Sequence, residues 1–93
     1  METYLIVRRN WWRTPEEFRE AVRRATRECE RMSDDVRWLR SYVVAENDGS
    51  LGTICIFEAS GPEAIRRHAY AAGWPVDEIV AIPDVVVPVA VTA

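Results

Sequence analysis

The chain contains no lysine, so all twelve of its fixed cations are arginines. That excludes Schiff-base chemistry and leaves guanidinium groups, whose planar fork suits carboxylates and other anions. There is one histidine, His68, and no H-x-x-x-H pair, and the two cysteines, Cys29 and Cys55, do not form a C-x-x-C pair. A metal centre built from one short stretch is excluded with them. The four glycines make no phosphate-binding loop, and no serine–histidine–acid order is present. No apolar run approaches the roughly 20 residues needed to span a bilayer. The valine-rich stretch 85–89 is far too short, and the N-terminus METYLIVRRN lacks the basic-then-apolar order of a signal peptide. These absences predict a cytoplasmic protein with reduced thiols and no membrane partner.

What remains is a chain of 93 residues, 48% hydrophobic and 29% charged, enough for one domain over 1–93 with a single core. Net charge is −3, and the arginines of the first predicted helix alternate with glutamates. That mixture cancels the field a nucleic acid would feel, so no nucleic-acid partner is expected.

Residues 4–7 are β-formers and predict a first strand, with a loop over 8–13 holding Trp11 and Trp12. Thr14-Pro15-Glu16-Glu17 is a capping box with proline at the first helical position, and Phe18, Val22, Ala25, Cys29 and Met32 recur at helical spacing, predicting a helix over 15–32. Its outer face predicts a Glu20–Arg24 pair worth a few tenths of a kcal/mol. Residues 36–45 and 52–58 flank the turn-former Asn47-Asp48-Gly49-Ser50 and read as a hairpin. Ser60-Gly61-Pro62-Glu63 predicts a serine-capped second helix over 62–72, stopped by Gly73. Residues 79–82 give a fourth strand, and Pro83 and Pro88 make 84–93 an extended C-terminal arm.

This order, β-α-β-β-α-β, predicts an α+β, ferredoxin-like domain: a four-stranded antiparallel sheet with both helices on one face. Strands one and three are apolar on both sides, whereas a sheet with one wet face alternates apolar and polar residues. A homodimer is therefore expected, a dimeric α/β-barrel-like assembly in which a second copy covers the other face.

From Val36 onward, VRWLRSYV, then CIFEA, then AIRRHA with Ala72-Gly73-Trp74-Pro75 and Asp77, the sequence resembles a small bacterial family first catalogued as a domain of unknown function and associated with nickel binding or nickel response. With the first strand and the capping box the resemblance covers about residues 3–83. It implies a dimeric ferredoxin-like fold and Ni2+ or another divalent cation. Arg8 stands where that family commonly ends its first strand on an acidic residue.

His68 lies on the apolar side of the second helix and faces the sheet or the edge of the core rather than bulk water. It reads either as a core histidine bonded to backbone or as a metal ligand or general acid/base, since imidazole titrates near neutrality. Glu58, in phase with Ile54 and Ile56, is its candidate partner in a metal or catalytic pair if those residues face the helices; otherwise it pairs with Arg66 or Arg40. Trp38, Arg40 and Tyr42 fall on one face of an uninterrupted second strand, an aromatic wall with one guanidinium for a planar or anionic small-molecule ligand, or else an interface. Cys29 and Cys55 read as small core residues. Two functions follow: a small dimeric ligand- or metal-binding protein, or an enzyme without cofactor, of cyclase, isomerase or monooxygenase type, with His68 as acid/base.

Overall fold

A computed structural model describes residues 1–89. Residues 90–93 of the expected arm lie outside the described residues. The elements run β1 (Glu2–Trp12), α1 (Pro15–Arg31), β2 (Val36–Ala45), β3 (Leu51–Ala59), α2 (Pro62–Ala72) and β4 (Glu78–Ile82). The sheet is ordered β2-β3-β1-β4, every neighbouring pair antiparallel. This is the expected α+β, ferredoxin-like layout.

The helix signals act much as chemistry requires, with one exception. Thr14 accepts a hydrogen bond from Glu17 N at 3.1 Å, and the Glu17 carboxylate accepts one from Arg13 N at 2.8 Å. The first satisfies one of the donors a helix start leaves open, and the second ties the residue before the cap to the first turn. Helix α2 departs from expectation. Its N-cap is Gly61, with no side-chain cap, because Ser60 is drawn instead to Asp35 through both backbone and hydroxyl. Gly73 ends the helix at φ 70°, a left-handed conformation that glycine takes without a Cβ penalty. On α1, Glu20 pairs with Arg23 rather than Arg24, whose Nε reaches across to Ala72 O at 3.1 Å and ties the two helices together.

The first strand is much longer than its β-formers suggest. Residues 8–13, expected as a loop, belong to β1 as far as Trp12, which pairs with Leu51. The register slips between Arg8 and Trp12, and Asn10 takes φ 59°. The hairpin tip holds this bulge. Arg9 forks onto Glu46, Asn10 N donates to Glu46 Oε2 at 2.8 Å, and the Asn10 amide reaches Asp48 and Ser50. Arg9 and the Asn10 N–H hold the Glu46 carboxyl below its usual range.

One sheet face carries Tyr4, Ile6, Cys55 and Phe57 under Ala21, Ala25, Ala64 and Ile65 of the helices. Trp12, Trp38 and Trp74 complete this core, with Trp74 centred 4.8 Å from Trp12 and 5.6 Å from Trp38. The opposite face, with no helix over it, presents Leu5, Val7, Ile54, Ile56, Val80 and Ile82.

Candidate functional site

His68 is where the helical periodicity puts it, 1% exposed beneath the helices and 5.4 Å from the Phe57 ring. Its Nε2 lies 3.0 Å from Ala25 O and 3.2 Å from Cys29 Sγ. Donation to the carbonyl makes Nε2 the protonated nitrogen and Nδ1 the acceptor. Nδ1 is buried with no partner among the described residues. Burial, aided by the nearby Arg8 charge, holds the imidazole below its usual pKa, so it is neutral at physiological pH. Burial also pushes the Cys29 thiol up to about 11. His68 does not line any of five surface clefts formed by the described residues.

The structure does not bring Glu58 to His68. Ile54, Ile56 and Glu58 do share a strand phase, but it is the helix-free one; Cys55 and Phe57 face the helices. Glu58 therefore sits across the sheet from His68, in an ion pair with Arg37 at 3.2 Å rather than with Arg66 or Arg40. Trp38, Arg40 and Tyr42 are separated as well. Strand β2 carries one extra residue, Leu39, between Trp38, opposite Phe57, and Arg40, opposite Ile56. A bulge of this kind inverts the alternation beyond it. Trp38 thus stacks on Phe57 in the core, at 5.9 Å and 12°, while Arg40 and Tyr42 are on the helix-free side of β2. Trp38 and Arg40 still meet at the strand edge, where with Phe18, Val22, Leu39 and Val43 they line a cleft of about 300 Å3 between α1 and β2.

Behind that cleft lies a polar line that sequence reasoning did not find. Trp38 Nε1 donates to Ser41 Oγ at 2.8 Å, Ser41 donates to Cys55 Sγ at 2.7 Å, and Arg8 Nη1 reaches the same sulfur at 3.4 Å. Arg8 Nε donates to Pro75 O at 2.6 Å, and the guanidinium lies 4.8 Å from the Trp74 ring centroid. Arg8 is 1% exposed, and no carboxylate is within ion-pair distance of it among the described residues. Its desolvation is offset by the indole face, the carbonyl and the thiol, and burial lowers its pKa from the usual value. The only signal for this in the sequence is the position of Arg8, in phase with Tyr4 and Ile6. Of the paired tryptophans, Trp12 is core and Trp11 is half exposed, its indole donating to Asp77 at 3.0 Å.

A family model described as nickel responsive protein SCO4226-like matches residues 4–82. The chain belongs to that family. A solved structure, that of SCO4226 from Streptomyces coelicolor A3(2), resembles it with a TM-score of 0.68 over 90% of this chain and 99% of the other, at 21% sequence identity. That likeness shows the fold. No curated protein matches the chain.

For this SCO4226-like chain, nickel must be weighed against the donors present. Among the described residues no group of three or more histidine, cysteine, aspartate or glutamate side chains is gathered in a way that could hold a metal. The one unpartnered imidazole nitrogen, His68 Nδ1, has no hydrogen-bond partner among the described residues, and the ring feels the repulsive charge of Arg8 more than the opposing pull of Glu28. Within a single subunit the residues do not fit a nickel ion.

Proposed function

We propose that this SCO4226-like chain works as a homodimer closed through the helix-free sheet face, and that it serves nickel handling as a binding protein rather than as an enzyme centred on His68. The observation that carries the reading is that face: Leu5, Val7, Ile54, Ile56, Val80 and Ile82 form one apolar surface without a covering helix. Surfaces of that kind spanning several hundred Å2 are rarely left to water, and a second copy covers one through a two-fold axis. Family membership supports the nickel part. Glu58 lies on the same face, so each subunit presents that carboxylate to the shared space, whereas His68 is enclosed on the other side with Nε2 engaged. Carboxylate and water are ordinary ligands for a divalent ion, and here they would be assembled by two subunits.

Sedimentation equilibrium of the wild type and Ile56→Asp, joined to Ni2+ calorimetry of wild type, Glu58→Gln and His68→Gln, tests this. The expected result is a wild-type dimer, a monomeric Ile56→Asp, and Ni2+ uptake that is lost in Glu58→Gln and Ile56→Asp but kept in His68→Gln. A monomeric wild type, or uptake that depends on His68 and ignores Glu58, overturns the reading.

A further inference from the structure

The C-terminal arm, residues 83–89, leaves β4 without joining any element, and four of its valines stand in solvent: Val85 at 73% exposure, Val86 at 88%, Val87 at 75% and Val89 at 88%. Valine is a strong strand former, and four of them exposed in one extended segment make up an apolar surface that a lone subunit leaves uncovered. At the other side of the sheet the outer edge of β2 is equally unmatched, since among the described residues β2 pairs only with β3. Leu39 and Val43 are about half exposed there, and beside them opens the cleft of about 300 Å3 lined by Phe18, Val22, Trp38 and Arg40. The charges also correspond. Asp84 is the only charged side chain of the arm, and among the described residues its carboxylate accepts only from its own neighbour, Val85 N. Arg37 is taken by Glu58, whereas Arg40 has no ion-pair partner among the described residues.

We infer that the arm of one subunit docks on a second copy of this chain, adding a strand to the β2 edge, seating its valines in the cleft between α1 and β2 and setting Asp84 against the partner's Arg40. The inference rests on the homodimer proposed above and adds the segment that locks it. The occupant is a second copy because β4, from which the arm departs, is at the opposite edge of the sheet from β2, about 14 Å away at ordinary strand spacing. When two such sheets stack face to face about an axis parallel to their strands, β4 of each lies over the partner's β2, and the arm starts beside the edge it needs. Main-chain pairing to an open edge supplies affinity, and the valine and aspartate contacts supply register.

Dissociation constants for the full chain, from sedimentation velocity over a dilution series, decide this. Val86→Asp is expected to weaken the dimer at least about tenfold, a typical effect of burying a charge in an apolar contact. Asp84→Arg and Arg40→Asp should each weaken it, and the two together should restore it to near the wild-type constant, the signature of a direct pair. These positions are exposed in the single chain, so folding is preserved. If the arm variants leave the constant unchanged while the dimer persists, the arm inference is overturned and the homodimer stands. If the single charge variants weaken it without restoration in the pair, the Asp84–Arg40 register is overturned. A wild type that is monomeric throughout overturns both.

Discussion

At the scale of the residue, the single histidine acts through burial. His68 keeps Nε2 on Ala25 O and is held neutral by desolvation and the nearby Arg8 charge, against a weaker opposing pull from Glu28. Its folded pKa is depressed, so below about 6.5, the ordinary imidazole value, the unfolded chain takes up a proton that the folded chain refuses. Stability contributed by the neutral form is present above that pH and is lost as pH falls through it toward the lower folded value. Urea unfolding of the wild type should therefore weaken between pH 7 and 5 with a slope of up to about 1.4 kcal/mol per pH unit. His68→Gln should flatten that slope whatever its effect on the plateau. With no second histidine in the chain, few other groups titrate in that window, and a slope unchanged by the substitution would refute the assignment. The position of His68 was legible in the sequence because helical spacing assigns it to the sheet side. Its partners were not, since Ala25 and Cys29 are brought beside it only by the packing of α1 on α2.

At the scale of the element, two irregular strands set which side chains meet. The Leu39 bulge separates Trp38 from Arg40 and Tyr42, and its one cue in the sequence is that alternation fails there, two apolar neighbours, Trp38-Leu39, being followed by two polar ones, Arg40-Ser41. The β1 irregularity is held by Glu46 and depends on close backbone approach at Gly52. A Cβ there would lie 2.5 Å from Arg8 O and 2.9 Å from the Glu46 carboxylate. Gly52→Ala should cost more than about 2 kcal/mol, because the clash is with main chain that the ladder fixes. Chemical denaturation measures it, and a loss under about 0.5 kcal/mol would mean that β1 can yield. Local propensity alone predicts a loop over 8–13, because charged residues interrupt the β-formers there. Arg8 nevertheless stays in the ladder, with its cation over the Trp74 indole and on the Pro75 carbonyl.

At the scale of the whole molecule, the apolar helix-free face has a thermodynamic consequence. If a second copy covers it, dimerisation stabilises the native state by mass action, and the melting temperature must rise with protein concentration. Scanning calorimetry over a hundredfold concentration range should show an increase of several degrees for the wild type and none for Ile56→Asp. A concentration-independent wild type would remove the dimer and, with it, the docked arm.

The sequence alone determined the order of elements, the two helices with their proline starts and the Gly73 stop, the apolar character of both sheet faces, and the family. Each of these is written in local propensity or in a period of 2 or 3.6, which act over a few residues. Only the tertiary structure decided that Glu58 and His68 lie on opposite sides of the sheet and that Arg8 is buried without a carboxylate. The physical reason is the same in both cases. Glu58 and Arg8 both lie in the unbroken ladder that pairs Glu2 to Arg8 with Ala59 to Thr53, where each strand is apolar on both sides, so only the packing of the helices decides which side becomes the core.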